Sequence, residues 1–380
     1  MLLEKNKKRL ELNQTIINFL KRYDYSFLVS MLVIFTIGIL NLYSATHAHT
    51  SVHMQGLYKS QLLWFGIANI TAFIVSLFPP KSLFRFSYWI YAVNVFLLIL
   101  VLVMGQKGMG AQRWLVIGGF RLQPSELMKI SLALALARYY SKNSPEKELY
   151  LKDLIMPFLI TIIPTVLIVL QPDLGTGLLL VLIFLVVSFF KRLRWKSIGI
   201  IAVIGIVSGL LMYNFGLKEY QRKRILTFID PQADAKGSGY NAIQSQIAIG
   251  SGRFMGKGFK NSSQASLNYL PENHTDFVFS IFNEEHGLFG SIVLIALYII
   301  LMMRFIWLSG SVLRFYEAVL AIGVMSIFFW HTFINMCMVM GLMPIVGLPL
   351  PLMSYGGSSL LTFGICIGIA TSLSNSRNLF

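Results

Sequence analysis

Long apolar runs recur along this chain, and they constrain its fold more than any other feature. A helix that crosses a bilayer needs about 20 mostly apolar residues. Windows of that kind lie at 25–45, 60–78, 84–104, 124–140, 154–170, 174–190, 197–217, 276–303, 312–340 and 356–375. A soluble domain rarely carries so little charge, and here only 13% of 380 residues are Asp, Glu, Lys or Arg while 56% are hydrophobic. The pattern predicts an all-α integral membrane protein with ten transmembrane helices, in one polytopic domain over residues 1–380. The fourth window is the least apolar, the turn between the fifth and sixth is very tight, and no internal repeat stands out. The first apolar run follows a polar, basic stretch over residues 1–24 and is long enough to span, so it reads as a retained helix, not a cleaved signal. Cys337 and Cys366 both fall in apolar runs and read as small core residues, not as a disulfide or metal pair.

Orientation follows from Lys and Arg in the short connections. With the N-terminus inside, the inner segments and adjoining span ends hold 19 of these cations and the short outer loops hold four. The run "KRLRWK" (Lys191–Lys196) alone marks a cytoplasmic side. Both termini are therefore expected on the cytoplasmic side of the membrane. One segment departs from the trend, since residues 218–275 form a large extracytoplasmic loop that carries eight Lys and Arg. Long loops cross regardless of charge, but so many outward cations call for an anionic partner. The net charge of +16 is spread between spans, so an anionic lipid surface or lipid-linked substrate fits it, and nucleic acid does not.

Four of the sixteen acids fall in "LNYLPENHTDFVFSIFNEEHG" (Leu267–Gly287), namely Glu272, Asp276, Glu284 and Glu285. An ionisable residue at the mouth of a span marks a functional site by default, with helix capping by Asp276 or Thr275 as the equal alternative. Glu284 and Glu285 lie about 12–14 Å further along a helix, too far to act with Asp276, and internal pairing is the better reading for both. In "GAQRWLVIGGFRLQPSELMKI" (Gly110–Ile130), Arg113, Trp114 and Arg121 belong to an outer loop. Glu126 and Lys129, spaced i,i+3, can neutralise each other inside the fourth span, as a structural pair or in a polar cavity. In "GYNAIQSQIAIGSGRFMGKGF", Gly250, Gly252, Gly256 and Gly258 could let backbone N–H groups approach an anion, with Arg253 and Lys257 adding charge. This is no Walker A loop, because the spacing is one residue short and Gly258 replaces the Ser or Thr. "LQPDLGTG" makes the tight turn, with Asp173 as cap of the sixth helix. "GLPLPLMSYGGSSLL" interrupts the membrane region, where irregular backbone is tolerated only if buried in protein or lining a cavity. The glycines and serines at 356–359 could instead serve close helix packing.

Six stretches in order, "RWLVIGGFRLQPSELMKI", "LQPDLGTG", "YQRKRILTFIDP", "GYNAIQSQIAIGSGRFMGKGF", "LPENHTDFVFSIFNEEHG" and "PLPLMSYGGSS", resemble the SEDS family (shape, elongation, division and sporulation) over nearly the whole chain. The resemblance implies a ten-span peptidoglycan glycosyltransferase that polymerises lipid II, a disaccharide peptide on undecaprenyl pyrophosphate. "GLPLPLMSYGG", with Pro349 where division-type members usually carry Thr, is more similar to the elongation branch, the RodA type. His286 stands where Leu is usual.

The family's catalytic acid is the Asp of "HTDF", which is Asp276 here. The matched motifs suggest substrate contacts from Arg113, Trp114, Glu126, Lys129, Arg224, Gln244, Ser245, Arg253, Lys257 and Ser354. The implied partners are a class B penicillin-binding transpeptidase and other membrane proteins of the elongation complex. No cluster of acids would hold a metal before substrate arrives, so a divalent cation could only share the pyrophosphate with the cations named. A lipid II flippase, a division or sporulation paralogue and a non-catalytic scaffold are the competing readings.

Overall fold

Each apolar window folds as a helix, and the connections between them hold the departures from expectation. The computed structural model describes residues 23–47, 52–108, 111–117, 120–143, 148–217, 219–234 and 237–377. The six cations of the N-terminal basic stretch lie outside the described residues. In chain order the long helices are α1 (Ser26–Thr46), α2 (Leu57–Ser76), α3 (Pro80–Met104), α4 (Pro124–Lys142), α5 (Ile155–Leu170), α6 (Leu174–Phe190) and α7 (Trp195–Leu211). After α8 (Glu219–Ile229) and α9 (Ser238–Ser251) come α10 (Val278–Ser311), α11 (Phe315–Val339) and α12 (Gly357–Arg377). Among the described residues seven helices are long and apolar enough to cross a membrane: α1, α3, α5 with its leading 3-10 turn, α7 with its π-helical tail, α10, α11 and α12. Helix α6 is apolar but shorter, and α2 and α4 carry more polar residues.

Local chemistry sets several boundaries. Proline stands at the first position of α3 and of α4, where its missing N–H costs nothing. Asp173 caps α6 as expected: its carboxylate accepts from Thr176 N at 3.3 Å and from the Thr176 hydroxyl at 3.0 Å.

The low apolarity of α4 has a packing explanation. This helix is buried among α3, α6, α11 and α12, so its polar residues face protein instead of lipid. Ser131 accepts from Asn94 of α3, and the Tyr140 hydroxyl meets that of Ser188 in α6 at 2.7 Å. Close approach elsewhere uses small residues: a Cβ on Gly364 or Gly368 of α12 would fall 2.6 or 2.5 Å from the backbone oxygens of Ala68 and Ala72 in α2. Helix α7 stands away from this packing, with Ser197 its one buried residue.

Three segments differ from the expectation of plain loops and an unbroken span. Residues 106–122 form a three-stranded antiparallel sheet of β1 (Gln106–Gly108), β2 (Ala111–Ile117) and β3 (Phe120–Leu122), with Trp114 opposite Gln106 and Leu122 opposite Leu115. Residues 218–275 are largely helical, through α8, α9 and two single turns at Pro231–Asp234 and Ser263–Ser266. The window at 276–303 does not start on Asp276, because α10 begins at Val278 and is broken at Gly287 (φ 64°, ψ −162°). That backbone conformation suits only glycine.

Candidate active site

The turn before α10 and the irregular connection from α11 to α12 are laced together, and Asp276 sits in the seam. Residues 345–355 cannot continue a helix, since Pro349 and Pro351 interrupt it, and their free backbone groups need other partners. Leu348, Leu350, Leu352 and Met353 are buried and fix the connection in the bundle. The Tyr298 hydroxyl in α10 donates to Pro351 O at 2.5 Å, and the Gln61 amide in α2 donates to Ser354 O at 3.0 Å. The irregular backbone is thus buried in protein, one of the two conditions under which a membrane protein tolerates it.

This connection in turn holds the "HTD" turn. The Ser354 hydroxyl donates to Thr275 O at 2.6 Å, and Tyr355 N donates to His274 O at 2.9 Å. From α11, the Asn335 amide donates to Asp276 O at 2.9 Å and to Leu348 O at 2.7 Å. Gly347, at φ +78°, lies against the carboxylate, and a Cβ there would come within 3.3 Å of Asp276 Oδ2. The capping alternative for Asp276 is not realised, because α10 starts from Phe277 with no side-chain cap.

Two arginines and one acid set the electrostatics. Arg224 of α8 donates to Ile345 O and Val346 O at 3.3 and 3.5 Å. Arg113 of β2 donates to Gln171 O at 3.3 Å and to Pro172 O, and its Nε lies 3.9 Å from Asp173 Oδ2. The turn held by Arg113 abuts the same connection: a Cβ on Gly175 would meet Val346 Cγ1 at 2.5 Å. Burial, reinforced by the negative charge of Glu272, pushes the Asp276 carboxyl up to about 6 against the pull of Arg224 and Arg113. The result is a half-buried carboxylate that ionises near neutral pH, with guanidinium groups within electrostatic reach. Such a group can take a proton from a hydroxyl while the cations stabilise a departing anion.

The other residues marked in the sequence fall into separate arrangements. Glu126 and Lys129 do pair, at 2.8 Å, and the ammonium also meets His331 Nε2 at 2.7 Å. His331 Nδ1 lies 3.1 Å from Pro349 O, so this buried chain ends on the same connection. Ser245 is fully buried, its hydroxyl 2.8 Å from that of Ser280 and donating to Val339 O at 2.7 Å, which ties α9 to α10 and α11. Trp114 and Gln244 are partly exposed.

The glycine-rich segment is not an open anion cradle. Its backbone docks on the break in α10: Lys257 N and Gly258 N donate to Glu284 O and Glu285 O at 2.9 Å each, and Leu288 N donates to Arg253 O at 2.9 Å. A Cβ on Gly256 would fall 2.1 Å from Glu285 O, so the glycines serve this close approach. Glu284 accepts from Lys257 Nζ and the Ser262 hydroxyl at 2.5 Å each, and from Ser263 N at 3.1 Å. Its partner Lys257 is one-third exposed, where sequence reasoning expected a buried cation. Glu285 pairs with the Ser44 hydroxyl at 2.5 Å and not with a cation. The structure therefore ties Lys257 to Glu284, about two helical turns along from Asp276, and leaves the Arg253 side chain exposed.

Sequence reasoning assigned no role to Glu272, Asn335, Gly347 or His331. Asn335 and His331 carried a usable signal as polar residues inside an apolar run. Gly347 and Glu272 carried none beyond membership of a motif. Among the described residues no group of three or more His, Cys, Asp or Glu could hold a metal ion.

Residues 24–379 match the family model for the cell cycle proteins FtsW, RodA and SpoVE. The chain belongs to this family. It is 37% identical over 324 residues to the peptidoglycan glycosyltransferase MrdB of Escherichia coli K12, covering 85% of this chain and 87% of that one. It is 30% identical to the peptidoglycan glycosyltransferase RodA of Treponema pallidum, covering 94% and 98%. Among solved structures it is similar to a chain from work on a peptidoglycan synthase complex that coordinates polymerisation and crosslinking (TM-score 0.78, 30% identity, 93% and 98% covered). It also matches the crystal structure of the rod shape determining protein RodA of Thermus thermophilus (TM-score 0.70, 28% identity, 93% and 97% covered).

Proposed function

We propose that this chain polymerises lipid II into glycan strands during cell elongation, with Asp276 as general base. The chain is a membrane-embedded peptidoglycan glycosyltransferase of the elongation type, like the relatives it matches across their length. The observation that carries the mechanism is the half-buried Asp276 carboxyl, raised to about 6 within the field of Arg113 and Arg224.

In the reaction, the 4-hydroxyl oxygen of the acceptor sugar forms a bond to the anomeric carbon of the donor. The bond from that carbon to the pyrophosphate oxygen breaks, and its electron pair leaves with undecaprenyl pyrophosphate. The hydroxyl proton passes to Asp276. A base with a pKa about 6 is about nine-tenths ionised at pH 7, so it is ready to accept the proton and then returns it to water. Charge grows on the pyrophosphate as it departs, and Arg224 and Arg113 supply positive charge there, with the forked guanidinium geometry that phosphate oxygens favour. Trp114, Gln244 and the exposed Arg253 are assigned to the sugars and peptide of the substrate.

This reading takes the ten long helices as ten spans in one polytopic unit, both termini in the cytoplasm and residues 218–275 outside. The uneven distribution of Lys and Arg supports that orientation. Substrate and product stay anchored in the membrane, so a site at the outer mouth of the bundle suits them. A class B penicillin-binding transpeptidase is the expected partner, supported by the similarity to a chain of a synthase complex that couples polymerisation with crosslinking.

The test is Asp276→Asn, which keeps size and hydrogen bonding but removes basicity. Polymerisation of labelled lipid II by the purified variant should fall at least about a hundredfold, the low end of general-base contributions, with normal protein yield. Near-normal glycan synthesis by this variant would refute the assignment.

A further inference from the structure

We infer that Asn335, in the last turns of α11, is the positioning residue of the reaction: it sets where Asp276 stands by holding that residue's own carbonyl. The inference rests on Asp276 being the base. Asn335 is fully buried, and its amide nitrogen makes two bonds, to Asp276 O at 2.9 Å and to Leu348 O at 2.7 Å. These are the two backbone strands that meet at the carboxylate, since Leu348 follows Gly347, the residue that lies against Asp276 Oδ2. One planar amide therefore fixes the distance between the base and the wall behind it.

The rest of the amide argues that this is no ordinary polar contact in a core. Its oxygen, Oδ1, is buried and accepts no hydrogen bond among the described residues. Burying an amide in an apolar helix costs desolvation that its hydrogen bonds must offset. A residue chosen for packing alone would be met more cheaply by Leu or Met. The amide is retained for its two donated bonds, both of which end at the site.

The support behind Asn335 is rigid for a physical reason. One helical turn earlier, His331 on the same face lies 3.1 Å from Pro349 O and receives the Lys129 ammonium at 2.7 Å, which Glu126 holds at 2.8 Å. Residues i and i+4 lie above one another on a helix. The adjacent carbonyls of Leu348 and Pro349 are thus gripped by Asn335 and His331 from one face of α11. The titratable and charged groups around this seam are Glu126 and Lys129 of α4, His331 of α11, Glu272 and Asp276 of the turn, Arg224 of α8 and Arg113 of β2. Asn335 hydrogen-bonds both the connection and the base, and it does so without adding charge beside a carboxyl that must ionise.

The experiment compares the full-length chain with Asn335→Leu and Asn335→Asp, using labelled lipid II across a pH series. Asn335→Leu preserves shape and removes the two bonds. It should lower kcat about ten- to a hundredfold, the range expected for displacing a catalytic group by a fraction of an ångström to an ångström, with KM within about twofold; the thermal midpoint falls as well, since Asp276 O and Leu348 O lose their donor. A folded Asn335→Leu protein with normal kcat overturns the inference. Asn335→Asp places a second carboxylate beside Asp276, so the acidic limb of kcat/KM should move up by about one pH unit or more. If the Leu variant does not fold, this limb decides: an unmoved limb in Asn335→Asp also overturns the inference. Asp276→Asn run alongside separates the two claims. Activity in that variant removes the base itself, whereas its loss together with a normal Asn335→Leu removes only the positioning role.

Discussion

The Ser354 hydroxyl donates to Thr275 O at 2.6 Å while accepting from Leu350 N at 2.8 Å. A single side chain thereby closes its own turn and clasps the residue next to the base. Ser354 was a candidate for substrate contact, but both sides of its hydroxyl are committed to backbone. Ser354→Ala leaves two buried backbone groups unpaired, at about 1–3 kcal/mol each. The expected result is a kcat about tenfold lower with KM little changed, measured by lipid II turnover. A large rise in KM with kcat intact would return Ser354 to the substrate.

The pH dependence of polymerisation has a defined sign. Asp276 works as the carboxylate, so activity should be level above pH 7 and fall tenfold per unit well below its value of about 6. Glu272 raises that value and Arg224 lowers it. Glu272→Gln should therefore move the acidic limb to lower pH, and Arg224→Gln should move it to higher pH. The check is kcat/KM over a pH series, and limbs moving in the same direction would contradict this electrostatic account.

Lys257 and Glu284 should matter for stability more than for chemistry. Lys257→Met leaves a fully buried carboxylate with hydroxyl and backbone donors but no cation. Because the lysine is one-third exposed, the cost falls between those of surface and buried pairs, about 2–4 kcal/mol. Thermal unfolding in detergent should show a lower midpoint. Turnover per folded molecule, measured below that midpoint, should stay within a few-fold of normal.

The orientation can be read with thiols, since Cys337 and Cys366 are both buried. Ser266 and Lys196 are exposed. In intact cells an impermeant thiol reagent should label Ser266→Cys, in the 218–275 segment, and spare Lys196→Cys, at the end of the "KRLRWK" run. The reverse pattern would put Asp276 on the cytoplasmic side.

Some of this architecture was legible locally. Apolar runs the length of a bilayer must fold as helices, since no other single segment satisfies its backbone in lipid. The i,i+3 spacing of Glu126 and Lys129 and the cap at Asp173 depend on neighbours a few residues away, and both occur as expected. The strands at 106–122 were not legible, because their pairing is set by a hairpin in a short polar segment with weak alternation. The break at Gly287 was hidden inside an apolar run, because a glycine there reads equally well as helix.

The amino-acid sequence by itself determined that this is a helical membrane protein, that its cations gather in the connections between apolar runs, and that Asp276 lies where an apolar run begins. Those properties follow from composition and short-range spacing. The tertiary structure decided which polar residues act together. It tied Lys257 to Glu284, joined His331 to Lys129, 202 residues away, and brought Ser354, Asn335 and Gly347 around an acid 59 to 78 residues earlier in the chain. The physical reason is that a buried hydrogen bond depends on where two backbones cross, and that crossing is set by the packing of α4, α10, α11 and α12 as whole helices.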